Sequence, residues 1–424
     1  MENEHERRVK IRLPYVVMLL VNLGFLALAF ALESPDEIFA GFIRIISSRS
    51  ILVTDYIAVG GVSATLLNVA IVGIFSVLML HISGMKPNGA IIMALWVTAG
   101  FAFFGKNVFN MLPLTFGVWL FAKYRKEPFS NYTLASLLVA TLSPVVSEMS
   151  FLGRFSLPVE IALGVLVGFV IGFIFPAVSA HMVRMHSGYD LYSMGFAGGL
   201  IGTIVATTAS SMGHVIVPAE YWGSGNNTTM AIMLYSVAVA LVCVGLFAGR
   251  PGENLREFRK IFGHTGRLIT DYYFMYKNSV YINMGILCVF ATTIVLALGA
   301  ELNGIAIAGI FTMVGFGCFG KHLKNVTPIL IGAALSAYLN RWDMIFPANV
   351  AAILFSTALA PLAGQFGWIW GIVAGFLHVS VAMFVGELNG GLNLYNNGFA
   401  AGLIAMFLLR IITVSERMRK HHED

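Results

Sequence analysis

Polar side chains that could hydrogen-bond a small solute occur twice in this sequence, in two copies of one motif. The first copy, HSGYDLYSMGFAGGLI, covers residues 186–201, and the second, NGGLNLYNNGFAAGLI, covers residues 389–404. Nine of the sixteen aligned positions are identical, and they are glycine, aromatic or aliphatic residues. A duplicated, glycine-interrupted element within apolar sequence is typical of a solute site at the interface between two membrane repeats.

The elements that must position these side chains are apolar helices. The chain has 424 residues, of which 58% are hydrophobic and only 11% are charged, and its mean hydropathy is +0.82. Fourteen apolar segments approach or exceed the length of a transmembrane helix. They are 13–32, 57–81, 89–104, 108–123, 132–147, 157–182 and 194–212 in the first half, and 229–248, 279–298, 303–320, 325–340, 347–362, 366–386 and 397–415 in the second. We therefore predict an all-α, polytopic integral membrane protein.

The duplication extends over most of the chain. Further matches occur in the same order in both halves, which indicates an internal repeat. GKNVFNMLP at 105–113 matches GKHLKNVTP at 320–328, LSP at 142–144 matches LAP at 359–361, and GVLVGFV at 164–170 matches GIVAGFL at 371–377. We assign 1–220 to the first membrane repeat, 221–249 to the first helix of the second repeat, 250–278 to a cytoplasmic amphipathic connector, and 279–424 to the remainder of the second repeat.

Basic residues predict the orientation, because loops rich in lysine and arginine face the cytoplasm. They are Arg7, Arg8, Lys10 and Arg12 before the first helix, Arg250, Arg256, Arg259, Lys260, Arg267 and Lys277 in the connector, and Arg417, Arg419 and Lys420 in the tail. Each half then crosses the bilayer an odd number of times. The charges therefore predict two repeats of inverted topology, with both termini cytoplasmic.

Four segments are short or irregular. Two of them, 132–147 and 347–362, end near Pro144 and Pro361, and the other two begin inside the repeated motif. Non-helical backbone at membrane depth is tolerated where it is buried in protein or lines a cavity. We therefore predict re-entrant half-helices among about 10–14 membrane segments.

The candidate solute ligands are polar residues in the two motifs and beside two matched prolines. They are Asn110, Thr115, Asp190, Tyr192, Asn325, Thr327, Asn393, Tyr395, Asn396 and Asn397. Buried polar groups in a bilayer must find partners and often mark a functional site. The alternative for Asp190 and Asn393 is helix capping. The alternative for the tyrosines is the membrane interface, and for Asn110 and Asn325 it is a satisfied proline kink.

Ionisable residues in or beside apolar segments are the candidates for gating or coupling. Lys106 and Lys321 begin the matched GK motifs, and in an inverted repeat they would lie on opposite faces. His378 lies in mid-segment, where the first half has Ile171, and Glu387 lies at a segment end. The alternatives are lysines that extend to lipid head groups and a glutamate that is solvated at a helix end.

The sequence offers no grouping that is typical of an enzyme. Its three cysteines, Cys243, Cys288 and Cys318, are scattered in apolar segments, which argues against a disulfide framework or a metal cluster. It has no phosphate-binding loop and no spacing typical of a serine–histidine–acid triad. We expect no enzyme activity, no metal, no cofactor and no nucleic-acid partner.

Two motifs resemble those of urea transporters. GLNLYNNGFAAGLI resembles the Gly-Leu-x-x-aromatic-Asn element in each half of that family, and MLPLTFGVWLF at 111–121 is similar to its Leu-Pro-x-x-Thr signature. The resemblance implies two inverted halves around one pore per protomer, and a trimer. In length, segment pattern and N-terminal anchor, the chain resembles a prokaryotic membrane family more closely: domain of unknown function 1576, which implies no activity.

The sequence favours a channel-like membrane transport protein for a small, polar, neutral solute, because few charges lie within its apolar segments. The alternatives are a proton- or sodium-coupled secondary transporter and, further, a non-transporting membrane enzyme or assembly subunit. We expect a multi-pass protein of the inner (plasma) membrane. Its partners would be the lipid bilayer and a small-molecule solute. It could also form a homo-oligomer, either a trimer or a dimer.

Overall fold

The computed structural model describes residues 12–50, 54–216, 221–267 and 270–423, with side chains described as far as residue 415. Within these ranges the fold is all-α, with two isolated β-bridges. Ten helical stretches are long and apolar enough to cross a membrane. The described chain is therefore a polytopic α-helical membrane protein. The predicted charges at Arg7, Arg8 and Lys10, and the side chains of Arg417, Arg419 and Lys420, lie outside what is described.

The two halves contain the same succession of helices. In the first half they are α1 (Leu13–Leu32), α2 (Pro35–Ile46), α3 (Tyr56–Gly60), α4 (Val62–Ile82), α5 (Gly89–Phe101), α6 (Val108–Arg125), α7 (Thr133–Leu138), α8 (Ser143–Ser150), α9 (Leu157–Met185) and α10 (Ser193–Ser211). In the second half they are α11 (Asn227–Phe247), α12 (Pro251–Ile261), α13 (Tyr272–Tyr276), α14 (Val280–Ala297), α15 (Gly304–Phe316), α16 (Leu323–Leu339), α17 (Pro347–Phe355), α18 (Ala360–Phe366), α19 (Trp368–Leu388) and α20 (Asn396–Glu423). The stretch 250–278, which we predicted to be a connector, contains α12 and α13, the counterparts of α2 and α3.

Matched polar residues repeat the same local contacts in both halves. Asn88 and Asn303 cap α5 and α15, because each side chain accepts a backbone N–H of the first helical turn. The amide of Asn68 in α4 donates to the carbonyl of Lys106 over 2.9 Å, and Asn283 in α14 donates to that of Lys321 over 2.7 Å. The duplication seen in the sequence is therefore a duplication of structure.

Helices α5 and α15 pack against each other at the centre of the protein. A Cβ atom added at Gly100 would lie 2.9 Å from Cβ of Phe311, and one added at Gly315 would lie 2.9 Å from Cβ of Trp96. The end of each helix thus contacts the middle or the start of the other, so the two run antiparallel. Glycine permits this close approach of apolar helices.

Two stretches of helix are interrupted. The stretch 129–150 consists of a 3₁₀ turn (Phe129–Tyr132), α7, a second 3₁₀ turn (Val139–Leu142) and α8, and the stretch 347–366 consists of α17, a 3₁₀ turn (Ser356–Leu359) and α18. Both continue beyond the prolines near which we predicted that they end. Pro144 and Pro361 stand in the first turn of α8 and α18, where the missing N–H removes no intrahelical bond. A further 3₁₀ turn (Lys277–Ser279) precedes α14.

Candidate functional site

The two copies of the repeated motif meet in the interior. A Cβ atom added at Gly195 would lie 2.6 Å from the carbonyl oxygen of Tyr395, and one added at Gly398 would lie 2.6 Å from that of Tyr192. The contact is reciprocal, and both positions require glycine because any side chain would collide with backbone. It fixes the tyrosine of each motif against the first turn of the other motif's helix.

Each motif tyrosine is paired with a buried lysine from the opposite half. The ammonium of Lys106 donates to the hydroxyl of Tyr395 over 3.0 Å. That of Lys321 donates to the hydroxyl of Tyr192 and, over 2.7 Å, to the hydroxyl of Thr357. Both lysine side chains are fully buried. We call Tyr192, Lys321 and Thr357 the first gate, and Tyr395 with Lys106 the second gate, after the gating role that the sequence predicts for the two lysines.

Backbone geometry explains why the lysines reach these positions. Each follows a glycine of positive φ, Gly105 at 76° and Gly320 at 110°, which turns the chain after α5 or α15. The asparagine bonds from α4 and α14 then hold the lysine carbonyls in place. The GK dipeptides noted in the sequence are therefore the turns that deliver a lysine into the interior.

A cavity of about 260 Å³ lies between the two motifs. Its walls are mostly aromatic and aliphatic, with a few polar groups. The lining residues are Ala90, Met93, Val97, Phe101, Leu134, Leu138, Val183, Leu191, Tyr192, Ser193, Met194, Gly195, Thr312, Phe316, Phe319, Phe355, Leu394, Tyr395, Asn397 and Gly398. Ser193, Thr312 and Asn397 give this space hydroxyl and amide groups.

A column of aromatic rings connects the two gates. The ring of Tyr395 lies 4.4 Å from that of Phe101, and Phe101 lies 5.6 Å from Phe355. Phe355 in turn lies 6.1 Å from Tyr192, whose ring also contacts Phe316 at 5.0 Å. These separations are typical of packed aromatic pairs. A solute that passed from one gate to the other would have to move along or displace these rings.

The cavity does not lie symmetrically between the two halves. Its lining includes Ala90 and Phe319, both partly exposed, whereas their repeat counterparts Ile305 and Phe104 are 6% and 0% exposed and do not line it. Ala90 follows Gly89, whose N–H donates to the carboxylate of Asp271, the N-cap residue of α13, and α13 packs against α12. The cavity therefore extends toward the end of the molecule that carries α12.

The predicted site residues fall into three groups. Tyr192, Tyr395 and Asn397 line the cavity. A second group contacts the lining residues or their neighbours. Asp190 and Asn393 accept the backbone N–H of the motif tyrosines, and Lys106 and Lys321 donate to the tyrosine hydroxyls. His378 Nε2 lies 3.1 Å from the Asn397 amide oxygen, and the Asn396 side chain accepts from Asn389. The remaining five, Asn110, Thr115, Asn325, Thr327 and Glu387, lie away from the cavity lining.

Those five residues have local contacts or are exposed. The amides of Asn110 and Asn325 donate to the carbonyls of Gly105 and Gly320, and Thr327 bonds the Leu323 carbonyl of its own helix. Thr115 is 3.5 Å from the Ser136 carbonyl, and Glu387 is exposed near the end of α19. Their role toward a solute stays a prediction.

Sequence reasoning missed the three phenylalanines of the column. Phe101 and Phe316 stand five residues before Lys106 and Lys321, and this matched spacing was a signal that could have found them. Phe355 has Leu138 as its counterpart, so the repeat gives no sign of it. Thr312 was likewise missed.

The fold and the site define a polytopic α-helical membrane protein with a buried cavity between two halves of the same design. Among the described residues, no group of three or more histidine, cysteine or acidic side chains could hold a metal ion.

The chain belongs to the family described as Protein of unknown function (DUF1576), whose model matches residues 34–211 and 250–414. This confirms the family predicted from the sequence. No curated protein and no solved structure matches the chain, and the resemblance to urea transporters is not shown by these comparisons.

Proposed function

We propose that the protein is a membrane transporter with a channel-like pathway for a small, polar, uncharged solute between its two halves. The observation that carries this proposal is the cavity of about 260 Å³ enclosed by both motif copies, with a buried lysine–tyrosine pair in each. Aromatic walls suit the flat faces of a compact solute, and Ser193, Thr312 and Asn397 supply hydrogen bonds that replace water.

The packing of the halves supports an inverted topology. Helices α5 and α15 occupy equivalent places in the repeat and run antiparallel through the core, as two halves of opposite orientation would require. This agrees with the parity inferred from the basic loops. Cytoplasmic termini and the inner membrane are part of the proposal on the strength of those loop charges alone. An inverted pair places the solute site at the repeat interface.

The two gates also explain which solutes would be rejected. An ammonium group in a low-dielectric interior repels a cation strongly, so Lys106 and Lys321 oppose the passage of cations. A neutral solute avoids this repulsion and can still exchange hydrogen bonds with the tyrosine hydroxyls. The coupled carrier, the membrane enzyme and the assembly subunit stay as predictions.

The test is flux into proteoliposomes that contain the full chain, measured by stopped-flow light scattering with urea, acetamide and glycerol as probes. We expect at least one probe to enter faster than into protein-free liposomes. Ala90→Trp, at the α12 end of the cavity, should abolish that excess, whereas Ala240→Trp, on the exposed face of α11, should not. Folded protein with no excess flux of any probe would overturn the proposal.

A further inference from the structure

One of the buried positions at which the two motifs differ holds Asn393 in one copy and Asp190 in the other. Both polar side-chain atoms of Asn393 have hydrogen-bond partners: its oxygen accepts from the Tyr395 N–H over 3.2 Å and from the Thr141 hydroxyl, and its nitrogen donates to the Gly195 carbonyl over 3.1 Å. The repeat counterpart of Asn393 is Asp190. One oxygen of Asp190 accepts from the Tyr192 N–H over 2.7 Å, but its second oxygen has no partner although the residue is 0% exposed.

A proton would complete the bonding of Asp190. A carboxylate can only accept hydrogen bonds, whereas a protonated carboxyl group also donates one. The protonated group would then match the amide of Asn393, and the carbonyl related by the repeat to that of Gly195 belongs to Gly398. The hydroxyl of Thr141 has no counterpart near Asp190, because Ala358 stands at the matching position. An unpaired carboxylate oxygen in the interior is unfavourable.

The surroundings of Asp190 do not suit a metal cation. The ammonium of Lys321 interacts electrostatically with Asp190 and would repel a metal ion. The titratable groups that face Asp190 in the part of the chain described are Lys321, Tyr192 and His186, whose Nδ1 accepts the Asp190 backbone N–H over 3.2 Å. None of the three is an acid that could share a cation with Asp190.

We propose that Asp190 is a proton-binding site, and that the proton bound there holds the first gate closed. The bound proton lets the carboxyl group donate a hydrogen bond across the contact between the motifs, which keeps Tyr192 in place. Loss of that proton to water leaves a carboxylate that repels the facing carbonyl and attracts Lys321 away from the Tyr192 hydroxyl. This inference rests on the proposed function only where it refers to flux.

Infrared spectroscopy of the full chain in lipid tests the proton directly. The C=O stretch of a protonated carboxyl group lies above the amide band and shifts in heavy water. We expect the wild type to show such a band that Asp190→Asn lacks, and Asn393→Asp to show an additional one. Identical carboxyl bands in the wild type and in folded Asp190→Asn would overturn the proposal. If Asp190→Asn does not fold, Asp190→Ser serves for the same comparison.

The second measurement is the flux of the fastest probe solute as the pH on both sides is raised together. The wild type should speed up several-fold as Asp190 loses its proton. Asp190→Asn should keep the slow rate of the low-pH wild type at every pH, because its amide cannot lose the donor. Equal pH dependence in both proteins would overturn the proposal. Absence of flux would overturn the transport function alone, since the infrared comparison is independent of it.

Discussion

Around Tyr192, the buried ammonium of Lys321 has two hydroxyl partners and a carboxyl group nearby. Around Tyr395, the ammonium of Lys106 has the tyrosine hydroxyl as its hydrogen-bond partner, and an amide, Asn393, replaces the carboxyl group. The glycines and aromatic residues that form the contact are identical between the copies. The positions that differ set charge and hydrogen bonding, so the repeat conserves the shape of the two gates and makes them electrically unequal.

The largest expected effect tests the shared part of the comparison. Gly195→Ala and Gly398→Ala each force a Cβ to within 2.6 Å of a backbone oxygen, which cannot move aside as a side chain could. Overpacking against the interior costs about 1–3 kcal/mol and occasionally more, and a clash with rigid backbone lies at the upper end of that range. We expect both variants to lose this stability about equally in thermal unfolding in detergent. Gly24→Ala, which meets nothing within 4 Å, is the control. A large loss in one variant and none in the other would break the equivalence of the two contacts.

The sequence predicted most of the fold. All fourteen predicted apolar segments correspond to helices, because a bilayer demands long apolar runs that are visible without knowledge of packing. The repeat also singled out Lys106, Lys321 and the motif tyrosines, which recur in register, but not their pairing. The sequence could not show how Asn110 and Asn325 use their amides, because that depends on the turns at Gly105 and Gly320.

The aromatic column was hidden for another reason. A phenylalanine within an apolar segment has the same local signature whether it faces lipid or a cavity. Phe355 shows this most clearly: its role comes from its contacts with Phe101 and Tyr192, which are far from it in sequence. Only the packing of the two halves brings these rings together.

A second prediction extends the comparison to two matched acids, Asp55 and Asp271. They are the N-cap residues of the short helices α3 and α13, outside the long spanning helices. Burial raises the pKa of Asp55 to about 6, and N–H groups of Gly223, Ile57 and Gly304 oppose this rise. The unfolded pKa is about 3.9, so the folded state binds the proton more tightly. The proton on Asp55 therefore stabilises the folded state fully below about pH 4. This contribution, roughly 3 kcal/mol, is lost as the pH rises through about 6.

Thermal unfolding in detergent across this pH range checks the prediction. Asp55→Asn should remove that part of the pH dependence, because the amide does not titrate. Asp271→Asn, the matched control in the other half, should retain it. A wild type whose stability rises over the same pH range would contradict the assignment.

The smallest expected effect tests the divergent part of the gates. Thr357→Ala makes the first gate resemble the second, where Ala140 is the counterpart. The variant removes one hydrogen bond to Lys321, and we expect a loss of about 1 kcal/mol in the free energy of unfolding. Thr327→Ala, whose hydroxyl bonds a carbonyl of its own helix, should change stability less. Equal losses in the free energy of unfolding in the two variants would show that the bond from Lys321 to Thr357 does not stabilise the first gate.

The central claim is that the cavity between the two motifs is the solute pathway, and Ser193→Cys tests it most directly. Ser193 lines the cavity, and its hydroxyl has no hydrogen-bond partner among the described residues, so the exchange is small in size and breaks no bond. We predict that a small thiol reagent abolishes flux of the fastest probe in Ser193→Cys. The same reagent should leave the wild type and Ser76→Cys, a buried position in α4 outside the cavity, unchanged. Unchanged flux in fully labelled Ser193→Cys, or a cysteine that the reagent cannot reach, would contradict the claim.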